Sequence, residues 1–175
     1  MARVSPFVGW EIQERGCVCA RTGVAFSEGD RVYSVLCRRG AGEVWRRLDF
    51  SEVGWAEDPK DFEVLCRWQS VYRRGVVGRQ REGGNEAGVD VEGVLRGLLL
   101  GGDEGKFAHC MVLALMLERR RRLRRVGERE DERGRWLVYE HVGSGEVWVV
   151  PERIPREGEW GVLEREVREV LRGGG

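Results

Sequence analysis

Alternating apolar and polar positions recur through the first seventy residues and predict short β-strands separated by turns. Residues Arg31–Cys37 are rich in β-branched and aromatic side chains, and a turn-forming stretch at 27–30 precedes them. A glycine-containing hairpin loop at 38–42 leads into a second strand over 43–50. A third strand is predicted over 61–72, where period-two alternation places these side chains on one half-buried face: Phe62, Val64, Cys66 and Trp68.

The periodic pattern stops between Arg73 and Gly88, where glycines lie among charged residues. Such a composition predicts a flexible loop and is the best internal boundary of the chain. We therefore expect one domain over residues 1–175, with a β-rich part at 1–72, the Gly/Arg-rich loop at 73–88 and a helical and hairpin part at 89–175.

Helical periodicity begins after this loop. Asp90 is a suitable N-cap for a short helix ending near Leu100, and Asp103 can cap again after a pair of glycines. A long helix is then predicted from Lys106 to Arg125. Its first half is apolar nearly all round, which predicts a central buried helix, whereas its second half should emerge into solvent.

The C-terminal part predicts a hairpin followed by an amphipathic helix. A charged turn is expected over 127–134, and strands over 136–142 and 146–150 should pair around Gly143-Ser144-Gly145. Apolar residues from Trp160 to Leu171 recur at helical spacing. The expected fold class is α+β, with an antiparallel β-rich N-terminal half, a central buried helix, a hairpin and a C-terminal helix.

Composition restricts the general classes of function. Charged residues make up 34% of the 175 residues but cancel to a formal net charge of zero, so attraction to nucleic acid must come from a local patch. All but two of the 30 basic residues are Arg, and 26 Gly accompany them, which is typical of a GC-rich genome. The start lacks a secretory-type apolar stretch and the longest apolar run is too short for a membrane span, so we expect a soluble cytoplasmic protein without a membrane partner.

One candidate site is an arginine run that could bind anions. Six positive charges are concentrated within a short segment: Arg119, Arg120, Arg121, Arg122, Arg124 and Arg125. Such a patch can neutralise phosphates or bind an acidic protein. The alternative is a solvated helix end whose charges complement the helix dipole and face the acidic run at 128–132.

A second candidate is a zinc site in the β-rich half, built from Cys17, Cys19, Cys37 and Cys66. Tetrahedral zinc takes four thiolate or imidazole ligands, usually as two pairs at C-x₂₋₄-C spacing. Here one pair is C-x-C and the other two thiols are isolated, so small buried apolar cysteines are the favoured interpretation.

Several short motifs together resemble a known family. Cys19-Ala20-Arg21-Thr22-Gly23, the strand after Glu28-Gly29-Asp30 and the segment Arg46-Arg47-Leu48-Asp49-Phe50-Ser51 are similar to bacterial hypothetical proteins common in planctomycetes. Val112–Met116 running into an Arg-rich tail adds to the likeness. That family has no assigned activity, so the resemblance implies no catalytic residue. It retains partners for Cys19 and Cys66 but not regularly for Cys17 or Cys37, which weakens a four-thiol site.

Other motifs favour structural roles. Gly101-Gly102-Asp103-Glu104-Gly105 is similar to the signature of cyclic-dinucleotide synthases, yet it lies between two predicted helices, where Asp103 serves as a cap. His109 and Cys110 are adjacent and diverge on a helix, and no motif surrounds His141. The leading hypothesis is therefore a non-enzymatic binding protein that uses its Arg-rich surface to contact nucleic acid or an acidic partner. A zinc-stabilised module comes second and an enzyme third.

Overall fold

The computed structural model describes residues 12–41, 43–56, 59–74 and 90–173. The N-terminal half forms an antiparallel sheet of order β2-β1-β3, with β1 at Arg31–Arg38, β2 at Arg46–Ser51 and β3 at Glu63–Val71. The C-terminal half forms a second antiparallel sheet of order β4-β5-β6, with β4 at Leu123–Asp131, β5 at Gly134–His141 and β6 at Val147–Pro151. The predicted α+β class is confirmed.

The helices lie on one side of the second sheet. They are α1 at Val91–Gly101, α2 at Phe107–Arg119 and α3 at Trp160–Gly173, with a 3₁₀ turn at Glu104–Lys106 before α2. Helix α2 packs against β4 and β6, while α1 and α3 pack against α2. Asp90 caps α1 as predicted, because it accepts from the Gly93 N–H. Asp103 accepts from the Gly105 N–H and so caps the 3₁₀ turn that leads into α2, whereas α2 itself begins without a side-chain cap. No helix in the described part of the chain combines the length and apolar character that crossing a membrane requires.

Strand β5 is buried on both faces and lies at the centre of the molecule. Leu137 and Tyr139 pack among the helices with Trp148, whereas Trp136 and Val138 pack against residues of the first sheet. This explains why six consecutive residues of β5 are buried. A strand covered on both sides loses the alternation that marks a solvent-facing sheet.

The third predicted strand forms, but the prediction that its four apolar side chains share one face is wrong. The pairing of β1 with β3 shifts register between Leu36 and Cys37, which pair with Cys66 and Val64 respectively. Such a bulge turns the next side chains to the other face. Phe62 and Val64 therefore pack on the outer side of the first sheet, whereas Cys66 and Trp68 face the second sheet.

The prediction that the long helix reaches Arg125 is also wrong. Helix α2 stops at Arg119, and the next residues enter β4, which occupies most of the predicted charged turn. Arg121 has a left-handed backbone (φ 58°). Its N–H donates to the Glu118 carbonyl and the Arg122 N–H donates to the Leu117 carbonyl, the bond pattern of a Schellman motif. Glycine usually holds this left-handed position, so an arginine there leaves no sequence signal for the helix end.

Helix α2 is buried on one side and not all round. His109, Leu113 and Leu117 are on the buried face, whereas Leu115 is 41% exposed. The C-terminal hairpin and final helix form as predicted, and β4 adds a third strand to that hairpin. The loop predicted at 73–88 lies, apart from Arg73 and Arg74, outside the described residues.

Candidate functional site

The helix end divides the arginine run into a structural part and an exposed part. Arg122 pairs through Nε with Glu92 Oε1 at 2.5 Å. Arg124 Nη2 donates to Glu140 Oε2 at 2.6 Å and to the Gln69 carbonyl, which joins β4 to β3. Arg125 pairs with Glu128. Half of the predicted anion-binding set is thus committed to contacts within the fold.

The other half forms a small cationic surface that we term the arginine corner, made of Arg119, Arg120 and Arg121. All three are exposed, and their side chains make no ion pair within the described residues. Two exposed apolar side chains lie beside them. Leu115 precedes Arg119 by one helical turn, and Val142 donates its N–H to the Arg122 carbonyl and is 52% exposed.

The structure distributes the four candidate zinc ligands over different surroundings. Cys17 is exposed, whereas Cys19 and Cys37 are buried in the core on the outer side of the first sheet. Cys66 faces the second sheet, and burial raises its pKa to about 12. Among the described residues, no three His, Cys, Asp or Glu side chains gather as a metal-binding group.

Cys19 has an unusual environment for a buried thiol. Burial acts to raise its pKa, but hydrogen bonds from Ser51 and Thr22, through their side chains and backbones, outweigh this and lower the pKa to about 6. The 1% exposure of Cys19 separates it from solvent.

A buried polar cluster joins the two sheets. Arg47 Nε lies 2.9 Å from Asp49 Oδ1, and their side chains are 2% and 3% exposed. Asp49 also accepts from Ser34 Oγ at 2.5 Å and from the Gly16 N–H at 2.7 Å. Arg47 donates to the Gly145 carbonyl, in the turn between β5 and β6. The cluster satisfies buried charges across the interface, which is a structural task.

A second polar cluster surrounds His141, at the end of β5. Its Nδ1 lies 2.8 Å from Ser144 Oγ, and its Nε2 lies 3.1 Å from Glu92 Oε2. The Glu92 carboxylate is the same group that Arg122 binds. Hydrogen bonding to His141 is the main cause that lowers the pKa of Glu92 to about 2, with Arg122 acting in the same direction.

Sequence reasoning missed the His141 cluster because its members are distant along the chain. Glu92 lies 49 residues before His141 and reaches it only through the packing of α1 against the end of β5. The one local signal was the three-residue spacing of His141 and Ser144 across a glycine-flanked turn. That signal is weak, since short polar turns commonly bond to themselves.

His109 and the glycine-rich motif between the helices both have roles within the fold. His109 is 3% exposed, and its Nε2 lies 2.8 Å from Glu166 Oε2 on α3, although neither ring nitrogen has a hydrogen-bond partner of good geometry among the described residues. Gly102 has a left-handed backbone that ends α1.

Comparisons with protein-family profiles, with curated proteins and with solved structures found no match to this chain.

Proposed function

We propose that this chain is a binding protein whose arginine corner contacts an acidic protein segment. The observation that carries the proposal is that, among the residues that the structure describes, Arg119, Arg120 and Arg121 are exposed and make no ion pair, while the other arginines of the run are paired. Exposed guanidinium groups can bind carboxylates in a bidentate manner.

The neighbours of the corner favour a protein segment over nucleic acid. Leu115 and Val142 add exposed apolar area beside the charges. Mixed apolar and charged surfaces are typical of protein interfaces, whereas nucleic acid selects an extended positive field. The chain has no net charge to supply such a field.

The test is fluorescence anisotropy with a labelled short peptide rich in Glu and Leu, compared with a labelled single-stranded oligonucleotide. We expect the peptide to bind with a salt-dependent affinity. Replacing Arg119, Arg120 and Arg121 together by Gln should weaken it about tenfold, because each exposed ion pair contributes about 0.5 kcal/mol.

A matched control removes the same charge elsewhere, through Gln at Arg153, Arg156 and Arg165, which are also exposed. This control should keep the affinity of the original chain. If both triple variants bound the peptide equally weakly, the loss of affinity would be due to net charge alone, and the proposal would be overturned. Tighter binding of the oligonucleotide than of the peptide would favour the nucleic-acid alternative. Arg124 is excluded from the variant because it binds the buried carboxylate of Glu140.

A further inference from the structure

The His141 cluster aligns a hydroxyl, an imidazole and a carboxylate. Ser144 Oγ and His141 Nδ1 are 2.8 Å apart, and His141 Nε2 and Glu92 Oε2 are 3.1 Å apart. Each imidazole nitrogen thus has one partner of the kind required for nucleophilic catalysis, in which a base is adjacent to the nucleophile and a third group orients the base.

The backbone identifies which nitrogen can accept a proton. The Ser144 N–H donates to His141 Nδ1 at 3.0 Å, so Nδ1 is the unprotonated nitrogen, and its one lone pair is shared between this amide and the Ser144 hydroxyl. Nε2 then carries the proton and donates to Glu92. In this tautomer the unprotonated nitrogen faces the hydroxyl and the protonated one faces the carboxylate, which is the arrangement a general base needs.

The imidazole ring is held in place on several sides. It stacks on Trp148, with ring centroids 5.6 Å apart and planes 12° apart. Glu92 is itself fixed by Arg122 and remains ionised, because its pKa is about 2. A fixed ring and a fixed carboxylate reduce the reorganisation required when the proton moves.

The hydroxyl proton of Ser144 has two acceptors within reach, and the shorter contact is to the imidazole. Ser144 Oγ lies 3.2 Å from Glu146 Oε2, against 2.8 Å to His141 Nδ1. The two carboxylate oxygens of Glu146 already accept hydrogen bonds from Arg96 Nη1, and Oε2 also accepts one from the Trp148 indole N–H. The imidazole is thus the closer acceptor of the two.

Ser144 is also accessible. It is partly exposed in the turn after β5, whereas His141 is buried beneath it. Gly143 is exposed, and a Cβ at that position would lie 3.1 Å from His141 Cε1. A side chain at this position would therefore crowd the His141 ring.

We infer that Ser144 is a nucleophile for small activated carboxylic esters, with His141 as general base and Glu92 as a positioning residue. Ser144 Oγ forms a bond to the acyl carbon while its proton passes to His141 Nδ1. The bond to the leaving alkoxide breaks, and that oxygen takes the proton from Nδ1. Water then hydrolyses the acyl-serine by the same proton path, which releases the acid. This activity does not depend on the arginine corner.

The experiment treats the full chain with a fluorophosphonate reagent and locates the modified residue by peptide mass spectrometry. Ser144 Oγ should replace fluoride at phosphorus, with its proton passing to His141. We expect Ser144 to be the labelled residue, and Ser144→Ala to lower both the labelling and the hydrolysis of p-nitrophenyl acetate at least about tenfold, since general-base assistance supplies about 10²- to 10⁴-fold.

The matched control is Ser27→Ala, which removes an exposed serine elsewhere and should keep both rates within about twofold. For the positioning role, Glu92→Asp should retain more hydrolysis than Glu92→Gln when both variants are folded by circular dichroism. Labelling confined to other residues, or an unchanged ester rate in Ser144→Ala, would overturn the inference. Equal rates in the two Glu92 variants would remove Glu92 from the mechanism.

Discussion

Gly127 on β4 lies directly against Cys66 on β3, so that a Cβ at residue 127 would be 2.5 Å from the Cβ of Cys66 and 2.7 Å from its sulfur. The two residues bring the two sheets into contact. Gly127 also follows the register shift of β4 against β5, and Cys66 follows the register shift of β3 against β1. The sheets therefore touch where both strands are irregular.

Gly127→Ala should destabilise the protein by about 2 kcal/mol or more, because the added methyl group overlaps an atom fixed to the opposing backbone. Urea unfolding measures the loss. Gly97→Ala on α1 is a useful control, since a Cβ there meets nothing within 4 Å. Combining Gly127→Ala with Cys66→Gly should recover part of the lost stability, and no recovery would show that the strain lies elsewhere.

Arg121→Gly should stabilise the fold by about 1 kcal/mol, because a left-handed backbone costs a residue with a side chain about 1–2 kcal/mol and glycine very little, partly offset by glycine's greater freedom in the unfolded chain. Thermal unfolding measures the gain. Arg120→Gly, at a residue with φ −81°, should destabilise instead. A loss of stability in Arg121→Gly would contradict the Schellman ending of α2.

Arg47→Met should lower the free energy of unfolding by about 3–5 kcal/mol, because it leaves buried Asp49 and nearby Glu140 without their shared cation. Chemical denaturation gives the measurement. Arg46→Met changes the exposed neighbouring position and should have little effect. Similar losses in the two variants would assign the effect to the strand rather than to the buried ion pair.

The ionisation of Glu92 should make the free energy of unfolding depend on pH in the acidic range. Its pKa falls from 4.5 to about 2 on folding, so its contribution is fully present above pH 4.5 and is lost as the pH falls through about 2. The difference in unfolding free energy between the original chain and Glu92→Gln should therefore shrink as the pH is lowered through that window. A difference independent of pH would show that the carboxylate is not selectively stabilised.

The ionisation of Cys19 should make the free energy of unfolding depend on pH in the neutral to mildly alkaline range. Its pKa falls from 9.0 to about 6 on folding, so the unfolded chain binds more protons between these values and stability should rise with pH there. Cys19→Ala should remove that rise, whereas Cys17→Ala, at an exposed thiol, should retain it. Thiolate absorbance in the ultraviolet gives an independent titration of the same group.

The sequence predicted the regular elements where local signals agree. Asp90 and Asp103 supplied caps before helical spacing, and the glycine-flanked turn at 143–145 separated two alternating strands. Prediction failed at Arg121, where the helix ends without glycine, and at Leu36/Cys37, where a bulge redirects the side chains of β3. Both are backbone irregularities that the surrounding packing stabilises and that no residue type marks.

The sequence by itself determined the α+β class, most strands and helices, and the concentration of arginine after α2. Only the tertiary structure decided which arginines of the run are paired within the fold, because Glu92 and Glu140 reach Arg122 and Arg124 from other elements. The same holds for the alignment of Ser144, His141 and Glu92. Periodicity reports which face of an element is buried, whereas a site depends on contacts between distant segments, which arise only when the elements pack.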